Sequence, residues 1–327
     1  MPHTPTTIGT KVRTLHPEQS YDAVLCVSPH HVTIAKLALR SLLHFSTARK
    51  IFVITAEKHF PQFALYKKSS ATIILLDEDE VVENVSLSKV CSYLTQRIGN
   101  PDRSGWYFQQ FLKMAICQRN DIAEHYLLWD SDTIALQPLF FFAKGNRILV
   151  TPKTENHKPY FDLIEKLLNI RKQVDYSFIS EHFMIRKNEM LNLITTIQLT
   201  DNKNQPWPYT ILDAISNDDI SGSGFSEYET YGNFISQQKP NYFVCTTKKS
   251  IRKGSKLFGH TPSTKDIFYL IKEKNTFASF EIWGRQKNRK IFMNKIKSYI
   301  SYASISILSA VLKKQDKRII AAKKICS

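Results

Sequence analysis

Residues 125–132 read HYLLWDSD, and this stretch decides the fold class. Its first five residues are mostly apolar and predict a buried strand. Asp130 and Asp132 follow at once, so two carboxylates lie at the carboxyl end of that strand. Because residues 133–142 (TIALQPLFFF) resume the apolar pattern, this turn differs from an ordinary solvated loop. Two carboxylates on one tight turn can ligate a hard divalent cation that also contacts phosphate oxygens. An acidic strand-end turn without a ligand is the alternative.

The segments before this strand alternate between strand and helix patterns. Residues 21–28 (YDAVLCVS), 50–55 (KIFVIT) and 71–76 (ATIILL) are short and apolar, as strands are. Residues 33–45 (TIAKLALRSLLHF) show helical periodicity. This order predicts an α/β fold with a Rossmann-like, mostly parallel central sheet, whose ligands collect at the carboxyl ends of the strands. An acidic run begins at Asp77, where either a solvated loop or a contact to a nucleotide base fits the pattern.

A helix is predicted over residues 106–119, just before the central strand. Its apolar positions at helical spacing are Phe108, Phe111, Leu112 and Ala115. The adjoining face carries Gln109, Gln110 and Lys113. One side of this helix therefore packs, and the other is free to contact a ligand.

The pattern is less regular beyond residue 150. It predicts a helix at residues 160–170 and a strand at 176–180, followed by a Gly/Ser-rich turn at 221–224. No internal repeat is present, and the half from residue 151 onward has the character of a variable region.

Residues 225–229 (FSEYE) have the pattern of a helix start. Ser226 is the candidate N-cap, and Glu229 is at the position of its capping-box partner. Glu227 has no such duty. A transferase that inverts configuration needs a carboxylate to deprotonate the acceptor hydroxyl, and Glu227 is the candidate for that base. A hydrogen bond from Glu227 to an acceptor sugar is the alternative.

Composition narrows the class of protein. With 327 residues and 43% hydrophobic content, the chain can bury a substantial core in one large or two small domains. Its five cysteines are scattered and form no C-x-x-C pair, as expected for reduced thiols in the cytoplasm. The first twenty residues lack the apolar run of a signal peptide, so we expect a cytoplasmic protein. The formal net charge of +16 indicates attraction to nucleic acid, an anionic membrane or a phosphorylated substrate.

Three motifs together resemble a known family. Residues 105–113 (GWYFQQFLK), 126–133 (YLLWDSDT) and 224–232 (GFSEYETYG) are similar to bacterial glycosyltransferases of the glycosyltransferase-A, or D-x-D, fold. These enzymes build lipopolysaccharide or surface polysaccharide, and the resemblance extends from about Tyr21 to Glu281. It implies a metal-dependent glycosyltransferase that moves a hexose from a UDP-sugar to a bacterial, lipid-linked surface glycan, with Mn²⁺ or Mg²⁺ as cofactor.

The resemblance also implies roles for single residues. Asp132 would bind the metal directly, and Asp130 would contact the ribose or bind the metal through water. Lys113 would neutralise phosphate charge, although a solvated helix lysine is the alternative. Gln109 and Gln110 are candidates for contacts to donor hydroxyls, and Asp77 and Ser28 are candidates for contacts to the nucleotide. His260 is the candidate for a third metal ligand. Glu181 and His182 form a competing pair, either of which could face the acceptor.

Two other functions remain open. A sugar nucleotidyltransferase normally carries a Gly-rich loop after the first strand, but residues 28–31 (SPHH) contain no glycine. A nucleic-acid-binding protein would use basic and aromatic residues together, whereas much of the basic excess here lies in roughly the last forty residues, away from the aromatic motifs. We therefore expect no nucleic-acid partner.

The predicted organisation has three parts. A polar lead covers residues 1–20, a catalytic domain covers 21–284 with a nucleotide-sugar half (21–150) and an acceptor half (151–284), and a basic helical tail covers 285–327. The apolar stripe of the tail is Phe292, Ile296, Tyr299, Ile300, Ala303, Ile307, Ala310 and Val311. Such a helix can lie in the headgroup layer of an anionic membrane. We expect it to hold the protein at the inner face of the cytoplasmic membrane, unless it packs on the catalytic domain or mediates a dimer.

Overall fold

The computed structural model describes residues 19–64, 66, 71–201, 203–281, 288–311 and 316–327. Most of the predicted polar lead and the predicted boundary at residue 284 lie outside these residues. The three-part division of the chain therefore stays a prediction.

The strands form three sheets. They are β1 (Asp22–Cys26), β2 (Lys50–Thr55), β3 (Thr72–Asp77), β4 (His125–Trp129), β5 (Thr133–Ala135), β6 (Phe142–Ala143), β7 (Arg147–Val150), β8 (His182–Arg186), β9 (Phe243–Cys245), β10 (Ser250–Ile251) and β11 (Phe277–Ser279). The central sheet has the order β3-β2-β1-β4-β8, and the small sheets are β10-β11-β5 and β6-β7-β9.

The central sheet is mostly parallel. Strands β3, β2, β1 and β4 run parallel to one another, and β8 pairs antiparallel with β4 at one edge. Every residue of β1 and β4 is buried, which is expected where both faces of a parallel sheet are covered. The predicted α/β class with a mostly parallel central sheet is confirmed.

The helices cover this sheet and extend into the tail. They are α1 (Val32–Phe45), α2 (Leu87–Ile98), α3 (Ser104–Ala115), α4 (Lys158–Leu168), α5 (Lys187–Leu199), α6 (Trp207–Ala214), α7 (Asn217–Ile220), α8 (Glu227–Gln238), α9 (Ser255–Phe258), α10 (Thr264–Lys272), α11 (Asn288–Val311) and α12 (Lys317–Cys326). The predicted helices before the central strand and after residue 150 are present, and the described part of the tail forms the helices α11 and α12, as predicted.

The strand predicted at residues 176–180 is wrong. This segment forms only an isolated bridge between Ser177 and Lys153, and the strand that pairs with β4 begins at His182. The buried Glu229 explains the difference, because its carboxylate accepts hydrogen bonds from Ser177 Oγ and the backbone N–H of Phe178. The backbone N–H of Phe178 is therefore satisfied by a side chain and not by a neighbouring strand.

The helix start at residue 226 is partly as predicted. Ser226 is the N-cap of α8, and its Oγ accepts a hydrogen bond from the backbone N–H of Glu229 at 3.3 Å. The carboxylate of Glu229 turns instead to Ser177 and Phe178, so the reciprocal contact of a capping box is replaced by a tertiary one.

The tail packs on a second hydrophobic cluster, which is separate from the main core around the central sheet. Ala322 and Ile325 of α12 are buried there beside Ile34 and Leu37 of α1. On α11, the ring of Tyr302 meets that of Phe268 edge-on, with centroids 5.4 Å apart. One face of these helices therefore packs on α1 and α10, in agreement with the predicted alternative for the tail.

Candidate active site

A cavity of about 620 Å³ opens at the carboxyl ends of β1 and β4, where parallel sheets place their ligands. Its first wall contains residues from the half before position 150, namely His31, Trp106, Gln109, Gln110, Lys113, Asp130, Ser131 and Asp132. Its second wall contains, among others, Glu155, Asn156, His157, Tyr160, Glu181, Ser223, Glu227, Arg252 and Glu281.

The turn from Asp130 to Asp132 is held by its backbone. The N–H of Asp130 donates to the carbonyl of Glu181 at 3.0 Å, and the N–H of Thr133 donates to the carbonyl of Asp130 at 2.9 Å. The N–H of Phe280 donates to the carbonyl of Asp132 at 2.9 Å. The turn is thus tied to β8 and to the end of β11, and both carboxylates reach the cavity from a fixed backbone.

Lys113 is buried between two carboxylates. Its Nζ lies 2.9 Å from Asp130 Oδ1 and 2.9 Å from Glu227 Oε1, and 3.4 Å from the hydroxyl of Tyr228. Burial by itself lowers the pKa of Lys113, but the charges of Asp130 and Glu227 outweigh it and hold that pKa well above its usual value. The alternative of a solvated helix lysine is therefore wrong.

Asp132 has the opposite electrostatic environment. Burial raises the pKa of its carboxyl to about 7, and the neighbouring charges of Asp130 and Glu281 add to the effect. Its side-chain hydrogen bond comes from Thr133 Oγ1 at 3.4 Å. A buried carboxylate next to other carboxylates is stabilised by a cation, because the cation offsets both the desolvation and the repulsion.

Gln109 and Gln110 both line the cavity and also brace it. Gln109 donates from Nε2 to the carbonyl of Cys26 at 3.1 Å. Gln110 Oε1 accepts from the backbone N–H of Glu227 at 3.1 Å. These bonds join α3 to β1 and to the start of α8, so part of the hydrogen-bonding capacity of each amide is already used.

The loop before α8 is tied to α3 by residues that sequence reasoning missed. Arg103 donates to the carbonyl of Gly222 and to Ser223 Oγ, both at 2.6 Å. The hydroxyl of Tyr107 accepts from the N–H of Gly224 at 3.2 Å. Gly224 sits so close to this support that a Cβ there would lie 2.4 Å from Ile215 Cγ2. This close approach brings the start of α8 to α3, where Glu227 contacts Lys113.

Sequence reasoning also missed four charged residues in or beside the cavity, Lys153, Glu155, Arg252 and Glu281, although it had named Glu181. Arg252 contacts Glu155 through Nη1, and its Nε lies 3.5 Å from Glu281 Oε1. Lys153 Nζ lies 3.2 Å from Glu181 Oε2. These residues come from four separate segments and carry no local motif, so only the folded chain shows that they are neighbours.

Of the competing pair, only Glu181 reaches the cavity. His182 is buried beside the rings of Trp129, Phe141 and Phe277, with centroid distances of 4.9 to 5.7 Å. Burial, with the nearby charges of two lysines, holds the pKa of His182 well below its usual value. It is a neutral core histidine.

Three other candidates lie outside the cavity wall. Asp77 accepts a hydrogen bond from the backbone N–H of Asp79 at 3.2 Å and caps a short 3₁₀ turn. Ser28 Oγ is 2.9 Å from His31 Nδ1, so it supports a residue that lines the cavity. His260 is exposed and is absent from the cavity lining; the structure does not bring it to the two aspartates.

The carboxylates of Asp130 and Asp132 fit a hard divalent cation that takes its remaining ligands from groups other than protein side chains. Within the described ranges, no group of three or more His, Cys, Asp or Glu side chains is arranged to hold a metal ion. Mg²⁺ commonly uses one or two carboxylates together with water and substrate phosphate oxygens. Asp130 and Asp132 match that requirement, and a nucleoside diphosphate in the cavity would supply the remaining oxygens.

A family model described as "Family of unknown function (DUF6492)" matches residues 26–278. The chain belongs to the DUF6492 family. A comparison with curated proteins gave no match.

Several solved structures are similar to this DUF6492 chain. Mouse xyloside xylosyltransferase 1 is 11% identical, with 81% of this chain and 98% of that chain covered and a TM-score of 0.42. The galactosyltransferase LgtC, solved with donor and acceptor sugar analogues, is 11% identical, with 79% and 86% covered and a TM-score of 0.43. The glycosyltransferase GlyE of Streptococcus pneumoniae is 11% identical, with 92% and 66% covered and a TM-score of 0.41.

Proposed function

We propose that this protein is a metal-dependent glycosyltransferase of the glycosyltransferase-A type that moves a hexose from a UDP-sugar to a bacterial surface glycan. The observation that carries the proposal is the meeting of Asp130, Asp132, Lys113 and Glu227 in one cavity at the carboxyl end of β4. The three sequence motifs that resemble this class each contribute to that meeting.

The donor end is assigned to the first wall of the cavity. Asp130 and Asp132 would hold Mn²⁺ or Mg²⁺, whose charge stabilises a leaving diphosphate. Lys113 fixes the Oδ1 atom of Asp130 at 2.9 Å, and so orients this carboxylate on the turn. Gln109 and Gln110 are within the same wall and offer polar atoms to the donor sugar.

Glu227 is assigned to the acceptor hydroxyl. It is buried, its Oε1 lies 2.9 Å from Lys113 Nζ, and it lines the cavity. A carboxylate can accept the proton of a hydroxyl that attacks the donor sugar. A hydrogen-bonding role toward the acceptor is the competing assignment.

A donor panel tests the proposed activity. Purified full-length protein is incubated with individual nucleotide sugars, a mixture of glycan acceptors, and Mn²⁺, Mg²⁺ or EDTA, and the products are identified by mass spectrometry. We expect UDP release and a hexose-extended product only with a UDP-sugar and a divalent cation. Turnover of nucleoside triphosphate with sugar phosphate, or transfer unaffected by EDTA, would contradict the assignment.

The proposal includes attachment to an anionic membrane. Helix α11 exposes Phe292, Met293, Ile296, Tyr299 and Ile300, whose spacing places them on one face. Their exposed fractions run from 38% to 65%, whereas apolar side chains of this size are usually buried. With a chain charge of +16, such a face suits the headgroup layer of an anionic bilayer. Among the described residues, no helix is both long and apolar enough to cross a membrane.

This attachment would bring the cavity to a lipid-linked acceptor at the inner face of the cytoplasmic membrane. The opposite face of the tail packs on the second hydrophobic cluster, so one helix serves both purposes. Removing the tail would therefore uncover that cluster, and point substitutions on the exposed face are the cleaner test.

A further inference from the structure

The cavity is acidic, although the chain as a whole is strongly basic. The described lining residues include six carboxylates and only two permanent cations. The carboxylates are those of Asp130, Asp132, Glu155, Glu181, Glu227 and Glu281. The excess of basic residues that gives the chain its net charge of +16 therefore does not extend to the cavity lining.

The two lining cations are already paired. Lys113 contacts Asp130 and Glu227, and Arg252 contacts Glu155 and Glu281. Each cation therefore has two carboxylate partners. An anionic group that approached Arg252 would also lie beside the carboxylates of Glu155 and Glu281, whose charges repel it.

Four of the six lining carboxylates belong to the second wall, and Glu281 is close enough to Asp132 for its charge to raise the pKa of that carboxyl. Glu155 and Glu281 flank Arg252, and Glu181 precedes β8 with Lys153 as its partner. A divalent cation at Asp130 and Asp132 would compensate the first wall, where the donor diphosphate is assigned. It would not compensate Glu155, which comes from the segment before α4.

The same wall suits hydroxyl groups. Carboxylate oxygens accept hydrogen bonds from sugar hydroxyls, and the amide of Asn156 can both donate and accept. The ring of Tyr160 lines this wall and Trp106 lines the facing one, and aromatic rings supply flat apolar surface for the C–H faces of a sugar.

We propose that the acceptor sugar that enters this cavity is neutral, carrying hydroxyl groups and no carboxylate or phosphate. The inference rests on the proposed glycosyltransferase function and specifies its acceptor class. It concerns the sugar unit that receives the transfer, and not charged groups farther along a glycan or its lipid carrier.

Matched acceptors test this inference. Transfer from the UDP-sugar identified by the donor panel is measured for a hexoside, the corresponding hexuronoside and the hexoside 6-phosphate with the same aglycone. We expect kcat/KM for the neutral acceptor to exceed that for either anionic acceptor at least tenfold. In Glu155→Gln and Glu281→Gln this ratio should fall threefold or more, because each removes one repelling charge. Glu273→Gln, an exposed carboxylate outside the cavity lining, should leave the ratio unchanged.

The outcomes separate the two proposals. A charged acceptor used as well as or better than the neutral one would overturn the inference while leaving the glycosyltransferase assignment in place. An unchanged ratio in both glutamine variants would also overturn it, since the discrimination would then come from elsewhere. Absence of transfer to every acceptor from every nucleotide sugar would contradict the proposed function itself, and the inference with it.

Discussion

Lys113 Nζ lies 2.9 Å from Glu227 Oε1, and both side chains are buried. This ion pair joins α3 to α8, and the additional contact of Lys113 with Asp130 extends it to the end of β4. One positive charge therefore links three of the elements that line the cavity.

Replacing Lys113 with Met should destabilise the fold. The substitution leaves the Glu227 carboxylate buried without its cation, and we expect the free energy of unfolding to fall by about 3 kcal/mol. Urea unfolding followed by circular dichroism measures this change. Adding Glu227→Gln to Lys113→Met should recover part of the loss, whereas Lys158→Met, which removes an exposed ion pair with Asp162, should have little effect. Equal effects of Lys113→Met and Lys158→Met would show that the contacts of Lys113 with Asp130 and Glu227 do not stabilise the fold.

Glu227→Gln separates a base from a binding residue. If Glu227 accepts the acceptor proton, kcat should fall by at least a hundredfold, while UDP affinity stays within twofold because the amide keeps the shape of the side chain. Steady-state kinetics and calorimetric titration with UDP measure the two quantities. A loss confined to the acceptor KM would assign Glu227 to acceptor binding instead.

Asp132 gives a pH dependence with a defined sign. Its pKa of about 7 in the folded chain lies above the value of about 3.9 expected in the unfolded chain. The folded state thus binds more protons between these values, and the stability of the cation-free protein should decrease as pH rises from about 4 to about 7. Asp132→Asn removes this term and should be more stable than the parent chain by about 1 to 2 kcal/mol at pH 8. Unfolding in EDTA at pH 5 and pH 8 checks this, and a difference between the two proteins that is the same at both pH values would contradict it.

The exposed face of α11 should control membrane binding. Phe292→Ser combined with Ile300→Ser removes two large apolar side chains from that face, and we expect at least a tenfold loss of affinity for vesicles with 30 mol% phosphatidylglycerol. Sedimentation of full-length protein with vesicles measures the binding. Leu199→Ser is the matched control, because Leu199 is 79% exposed on a different helix. Unaltered binding in the double variant, or an equal loss in the control, would exclude α11 as the membrane-binding face.

The central strand and its two aspartates could be predicted because their signal is local. A mostly apolar run of five residues followed by D-x-D specifies both a buried strand and the carboxylates at its end, and β4 begins and ends where the pattern predicts. The same holds for Ser226, whose N-cap role depends only on the short stretch from Ser226 to Glu229. Lys113 and Glu227 were predicted separately, but their ion pair spans 114 positions of sequence and required the fold.

The errors have the same physical origin. The segment at 176–180 is apolar enough for a strand, but the distant Glu229 accepts the backbone N–H of Phe178, and β8 takes the place beside β4. His260 follows a turn of the expected kind, yet it remains at the surface. Arg252, Glu155 and Glu281 have no motif, because their relationship consists only of tertiary contacts.

The most direct test of the account is whether UDP binding requires a cation held by Asp130 and Asp132. Calorimetric titration of full-length protein with UDP is carried out in Mn²⁺ and in EDTA, for the parent chain and for Asp132→Asn. We expect EDTA to weaken UDP binding by the parent chain at least tenfold. We expect Asp132→Asn to bind UDP equally weakly with and without Mn²⁺. Cation-independent UDP binding by the parent chain, or Mn²⁺-dependent binding retained in Asp132→Asn, would contradict it.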